Sequence, residues 1–236
     1  MPAPTLIYCA DGNSRLAQIA INAGWLYGAQ LPRTIYFDPY FVDQNWKKYQ
    51  KALERSQEKA DNLRDKYFDA LKSYRPYMAS VLDWERTDQL CEVLSWAEEI
   101  ARYVEVVMII PKVQGGIPLL PRTIGGKRIR LGYSIPTGHG GTGVPYSDFR
   151  GWDVHLLGGS PHKQMYLTGF MSVVSVDGNM HNKMAHKNRF WRHEKGERGH
   201  WVNLYEVGDR GWGKDSNYEA FRRSCENIYQ CWQQSH

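Results

Sequence analysis

What the sequence lacks narrows its class first. No stretch approaches the roughly eighteen consecutive apolar residues of a membrane-spanning helix, so no membrane partner is expected. The opening Met1-Pro2-Ala3-Pro4 has neither a charged n-region nor an apolar h-region, which argues against secretion and for a cytoplasmic location. Cysteine is scarce: Cys9, Cys91, Cys225 and Cys231 are too irregularly spaced for a disulfide framework and read as reduced thiols. Zinc-knuckle and H-E-x-x-H spacings are missing, as are the P-loop pattern and Gly-x-Ser-x-Gly. No metal site, nucleotide cofactor or acyl-enzyme chemistry is therefore expected. No repeat, low-complexity tract or Pro/Ser linker divides the 236 residues, so one domain is expected.

What is present begins with charge. Lys and Arg number 30 against 25 Asp and Glu, a formal charge of +5 that permits nucleic acid without requiring it. Its placement says more. Between Glu105 and Asp148 no acid occurs, while Lys112, Arg122, Lys127, Arg128 and Arg130 do, among nine glycines and five prolines. This span reads as long cationic loops around a strand. A basic C-terminal segment, about 181–214, carries Lys183, Lys187, Arg189, Trp191 and Arg192. Basic side chains interleaved with aromatics can neutralise phosphates and stack on bases, so both spans are candidate nucleic-acid contacts. The four histidines from His181 to His200 read as surface rather than as metal ligands.

Short β-branched runs recur at 6–10, 34–37, 78–82, 104–110, 129–133, 154–157 and 172–176, with 201–207 a weaker eighth. Helical patterns lie between them. Asn13 can cap a helix that Gly24 stops, and 42–73 reads as a long charged helical insertion. Leu90, Val93, Leu94 and Ala97 make an apolar stripe within 87–103. Ser160-Pro161 opens another helix, and the last covers 216–232. Strands alternating with helices imply a parallel sheet covered on both faces. The unit count fits a compact α/β (β/α)8 TIM-type barrel of typically about 250 residues; a doubly wound open sheet is the competitor.

Polar residues gather where these runs end. Asp11, Asp38, Asp83 and Asp177 close four of them, and Lys112 and Gly158-Gly159 follow two others. A barrel places its active site at those C-terminal tips, although strand ends also use aspartates as caps and turns. Period-two alternation puts Val81, Asp83 and Glu85 on one face, with Leu82 and Trp84 on the other. Two carboxylates in a partly dry pocket can divide acid and base work; a salt bridge to Arg86 or Lys112 is the plainer reading. Ser175 and Asp177 likewise share a face, and Gly178 permits a tight turn after them. The glycine pair before the helix start at Ser160 could let a phosphate approach the backbone.

The run His155-Leu156-Leu157-Gly158-Gly159-Ser160-Pro161, a helix, then Val173-Val174-Ser175-Val176-Asp177 resembles the late barrel segment of the tRNA-guanine transglycosylase superfamily. It is also similar to the transglycosylase-like proteins of phages and bacteria that act on DNA, both 7-deazaguanine inserters and phage-defence glycosylases. The resemblance covers roughly residues 78–185. It implies that Asp177 falls at the nucleophile position, with Ser175 competing for it. Gly158 and Gly159 would approach the nucleoside, and Asp83 would supply a polar group to the base. The tRNA enzymes' Asp-Ser-Gly-Gly-Phe-Gln signature is absent, Tyr8-Cys9-Ala10-Asp11-Gly12-Asn13 standing there instead. Their Cys-x-Cys-x-x-Cys zinc site is also missing.

The expectation is therefore a DNA glycosylase that flips a modified base into the barrel mouth and excises it, which the resemblance links to antiviral defence. Asp177, Asp83 and Glu85 are the catalytic candidates. Asp11, Asn13, Tyr133, His155, Gly158, Gly159, Ser175 and Asn179 are the candidates for holding the base. Lys112, Arg122, Lys127 and Arg128, with Lys183, Lys187, Arg189, Trp191 and Arg192, are the candidates for the rest of the DNA. The alternatives are a base-exchange enzyme inserting a 7-deazaguanine into DNA or tRNA, and a non-catalytic nucleic-acid-binding barrel. The oligomeric state is left open.

Overall fold

A computed structural model describes residues 2–10, 13–138, 140–194, 199–209 and 211–234. Its strands are β1 (Thr5–Ala10), β2 (Leu26–Leu31), β3 (Phe41–Gln44), β4 (Met78–Trp84), β5 (Val106–Pro111), the two-residue β6 (Thr123–Ile124), β7 (Lys127–Ser134), β8 (Asp153–Leu157) and β9 (Ser172–Asp177). All but β6 pair in parallel, in the order β5-β4-β3-β2-β1-β9-β8-β7. Pairing of β5 with β7, from Val106 opposite Arg128 to Ile109 opposite Leu131, closes the ring. The fold is a (β/α)8 TIM-type barrel.

Its helices are α1 (Ser14–Asn22), α2 (Trp46–Leu53), α3 (Gln57–Tyr74), α4 (Leu90–Ile100), α5 (Pro161–Leu167), α6 (Met180–Ala185) and α7 (Ser216–Gln234). No helix among the described residues is long and apolar enough to cross a membrane. The antiparallel pair β10 (Arg189–Arg192) and β11 (His200–Asn203) lies outside the barrel, between α6 and α7.

Two barrel strands differ from the sequence expectation. Residues 34–37 form no strand; they lie in a helix-free connection, residues 32–40, that returns from the end of β2 to the start of β3. Asp38 is an exposed residue of that connection, not a strand tip. The expected eighth strand at 201–207 is instead β11, paired with β10. The two places in the barrel are filled by β2 and β3, both hidden from pattern reading. In β2, Gly28 and Ala29 dilute the β-branched signal. Gly28 is required, since a Cβ there would meet Ile7 Cγ2 at 2.9 Å. In β3, four residues precede a helix-rich stretch, so 42–73 contains a strand and two helices rather than one helical insertion.

The barrel interior is filled by Ile7, Phe41, Met78, Val106, Met108 and Ile110. A larger apolar layer joins the outward strand faces to the helices. The period-two reading of β4 fails in one respect. A bulge shifts the register between Ser80 and Asp83, so Val81 and Leu82 both face the outer layer. Asp83 still points inward, and Trp84 packs outward with no exposed surface. Trp84→Ala leaves a cavity between β4 and its cover. The expected destabilisation is about 3–5 kcal/mol, measured as a lower denaturant midpoint at unchanged slope.

Candidate active site at the barrel mouth

Parallel closure brings every strand's C-terminal end to one side, and there a pocket of about 220 Å³ is lined by Cys9, Gln30, Arg33, Asp43, Gly158, Asp177, Gly178 and Asn179. Asp177, the last residue of β9, accepts the Gly158 backbone N–H on Oδ1 at 2.9 Å. Gln164 Nε2 donates to the carbonyls of both Gly158 (2.8 Å) and Asp177 (2.5 Å), locking the tips of β8 and β9 together.

Asp43 faces the same pocket from β3. Its Oδ2 accepts from Gln30 Nε2 at 2.9 Å, and its Oδ1 accepts from Ser80 Oγ at 2.8 Å. Burial pushes the Asp43 carboxyl up to about 7. The negative charges of Asp177 and Asp83 add to the rise, against the two hydrogen bonds. Sequence reading missed this residue by absorbing it into a helix. The available signal was Phe41-Val42 immediately before Asp43, with Asn45 as the cap of α2 (its Oδ1 accepts from Lys48 N at 3.1 Å).

Cys9 lies beside both acids. Burial and the charges of Asp177 and Asp43 push its thiol well above the usual range, so it supplies no thiolate. Arg33, the first residue after Pro32 at the end of β2, is the pocket's cation and forms no ion pair among the described residues.

Beneath the pocket runs a buried polar chain. His155 and Ser175 have no exposed surface, and Arg130 is 8% exposed. Arg130 Nη1 donates to Ser175 Oγ at 3.1 Å, and Ser175 Oγ lies 2.8 Å from His155 Nδ1. A guanidinium can only donate, so Ser175 Oγ accepts from Arg130 and its own proton is available to Nδ1. The other ring nitrogen, Nε2, lies 3.8 Å from Asp177 Oδ2. His155 and Ser175 therefore support Asp177 from below rather than touch a base. Ser175 is also too enclosed to be the nucleophile.

Other expected residues are placed differently. Asp83 and Glu85 face the mouth side but are ion-paired with Lys112, at 2.6 and 2.9 Å, and do not line the pocket. Burial opposes the charge on Lys112, but the two carboxylates outweigh it and raise its pKa. Lys112 is thus not a free phosphate contact. Asn13 spends its side chain capping α1, accepting from Leu16 N at 3.1 Å. Tyr133 packs outward, edge-on to Phe149 at 5.1 Å, so it cannot stack on a base in the mouth. Asp11 lies outside the described residues.

Gly158 and Gly159 border the mouth with φ of 73° and 81°, which glycine tolerates. Ser160 caps the seven-residue α5, accepting from Lys163 N at 3.3 Å, and Asp177 takes the Gly158 amide. No phosphate cradle remains there. Asn179 lines the pocket with its side chain unused as a cap.

The expected cationic contacts divide. Lys127 and Arg128 begin β7, at the end of the barrel opposite the mouth. Lys127 pairs with Glu105 at 2.9 Å, while Arg122 stacks on Trp152 at 3.7 Å. Lys183, Lys187 and Arg189 are exposed, and Arg192 pairs with Glu194. Trp191 has no exposed surface and packs on His162 and Trp201, so it is core, not a stacking platform. His181 is also core, between Trp25 and Phe221, and burial lowers its pKa to about 3. No metal-holding cluster occurs among the described residues. Gly138, Gly140 and Gly143 have G-x-G-x-x-G spacing, but only a short 3-10 turn (Tyr146–Phe149) follows, so no dinucleotide fingerprint is formed.

One comparison identifies a family: the model of a family of unknown function, DUF6610, matches residues 20–233. The chain belongs to the DUF6610 family. That match takes in Asp43, Asp177 and the supporting chain beneath them. No curated protein matches the sequence.

Asp43 gives this DUF6610 barrel a pH-dependent stability. The carboxyl titrates at 3.8 when unperturbed and at about 7 in the fold. Between these values the native state holds a proton that the unfolded chain has released, so stability falls as pH rises through the window. Asp43→Asn is expected to flatten that decline, measured by urea unfolding from about pH 5 to about pH 8. An unchanged slope would mean that Asp43 is not raised.

Proposed function

We propose that the barrel mouth cleaves an N-glycosidic bond, and that the protein is a DNA glycosylase acting on a modified base. The observation that carries this reading is one pocket lined by two carboxyl groups with different environments: Asp43, raised to about 7, and Asp177, held by the Gly158 amide. Pairs of carboxyls divided in this way supply an acid and a carboxylate to one reaction. The resemblance of the His155–Asp177 segment to the transglycosylases supports the same assignment. The pocket, about 220 Å³, suits a single base and sugar better than a large cofactor.

In this mechanism protonated Asp43 gives its proton to the departing base as the C1′–N bond breaks. Asp177 meets the cation that develops at C1′ as a carboxylate, by electrostatics or by a covalent bond. Water then attacks C1′, Asp43 takes its proton, and an abasic sugar and the free base leave. Gln30 and Asn179 offer amides to the base edge, and Arg33 offers a cation to a flanking phosphate. His155, Ser175 and Arg130 keep Asp177 in place.

The test is incubation with DNA carrying normal, glucosylated or deazaguanine bases, with abasic sites and released base measured by mass spectrometry. Asp177→Asn is expected to lower the rate on the order of 10³-fold. Asp43→Asn is expected to lower it roughly 10²–10⁴-fold. In the wild type, kcat/KM falls on the alkaline side with an apparent pKa of about 7, set by Asp43. Full activity in Asp177→Asn would sink the mechanism. Incorporation of a supplied free base without abasic product would assign base exchange instead.

A further inference from the structure

Between α2 and α3 lies a cleft of about 470 Å³ that the catalytic reading does not use. Lys48, Lys51, Arg55 and Lys59 line it against a single acid, Glu58, with Asn62 as a further polar group. All four cations are exposed, and none forms an ion pair among the described residues. Lys48 and Lys51 stand three apart on α2, where like charges repel and weaken a helix. A bound polyanion would offset that repulsion.

The cleft is attached to the mouth. α2 starts three residues after Asp43 and is pinned by Gln50 Nε2, which donates to Glu85 Oε2 at 3.0 Å beyond the tip of β4. Most of its apolar face is spent: Trp46 and Tyr49 are buried, Tyr49 packs edge-on to Trp96 at 5.4 Å, and only Leu53 at its end is an exposed large apolar side chain. One leucine is too little apolar surface to anchor the helix in a lipid layer. No aromatic side chain lines the cleft, so it offers no stacking platform for bases. Around a small apolar floor of Ala52 and Leu63 it offers positive charge in a concave groove, which suits phosphates irrespective of sequence.

We propose that the α2–α3 cleft binds the phosphodiester backbone of the nucleic-acid strand whose nucleotide enters the mouth. The strand's path to the mouth rests on the glycosylase reading; the binding itself does not. Contacts here hold the strand, while recognition of the base belongs to the pocket. The basic surface therefore includes a site on α2 and α3, away from the acid-free span and the C-terminal segment.

The experiment is fluorescence anisotropy of unmodified, labelled single- and double-stranded oligonucleotides over a NaCl series. Wild type is compared with a variant carrying Lys48→Gln, Lys51→Gln, Arg55→Gln and Lys59→Gln, whose folding is checked by its melting curve. Loss of four phosphate contacts is expected to reduce the slope of log K against log[salt] by about 3. At about 0.1 M salt it should weaken binding at least tenfold. The charge-preserving set Lys48→Arg, Lys51→Arg and Lys59→Arg should keep the wild-type slope. An unchanged slope in the Gln variant overturns the proposal, as does wild-type binding to phosphatidylserine vesicles but not to oligonucleotides. Abasic-site release by the wild type separates the two readings: salt-sensitive binding that the Gln variant weakens, without cleavage in wild type, leaves the cleft standing and removes the glycosylase. Cleavage in wild type with no effect of the Gln variant on binding does the reverse.

Discussion

The pairing of β5 with β7 is the interaction on which the rest depends. It closes eight parallel strands into a ring without exposed barrel edges, and closure dictates two things at once. The interior becomes a narrow space that side chains must fill, which Phe41, Met78, Met108 and their neighbours do. Every strand also delivers its last residue to the same end. Asp43 and Asp177 lie far apart in sequence, yet line one pocket because each sits at the C-terminal end of its strand, Asp43 one residue before the end of β3 and Asp177 last in β9. An open sheet would have spread those tips along a line.

Within that frame the unusual element is polar. A guanidinium inside a barrel needs partners, and Arg130 finds them in Ser175 Oγ and the sulfur of Met78 rather than in a carboxylate. The chain from Arg130 through Ser175 to His155 ends beneath Asp177. It orients the imidazole with Nε2 toward Asp177 Oδ2. Fixed dipoles and buried polar groups of this kind hold a carboxylate more firmly than mobile water would. The helix-free return after β2 matters for a related reason. Because no helix starts at the end of β2, Arg33 turns into the mouth and becomes the pocket's cation.

Much of the site was legible where one strand was clean. The run from Ser172 to Asp177 is β-branched and ends in Gly178, so parity alone placed Ser175 and Asp177 inward. The same logic placed Asp83 inward and Trp84 outward. It misplaced Val81 only because the bulge after Ser80 adds a residue that period two cannot anticipate. Asp43 was hidden for another reason. A four-residue strand supplies too few alternations to stand against the helical composition that follows it. The placement of the cationic candidates was the least legible, since charge in sequence does not say which end of a barrel it occupies. Lys127 and Arg128 start their strand, opposite the mouth, and Lys112 is held by Asp83 and Glu85.

By itself the sequence determined the layer architecture and the place of Asp177 at an inward-facing strand end, because hydrophobic period and strand-end chemistry are local properties. Only the tertiary structure decided what surrounds each polar group. Trp191 and His181 become core, Asn13 becomes a cap, and Ser175 becomes a support beneath the pocket. Asp43, inconspicuous in the chain, becomes the acid whose burial near two other carboxylates raises it to about 7. Desolvation and through-space charge depend on neighbours that folding alone brings together.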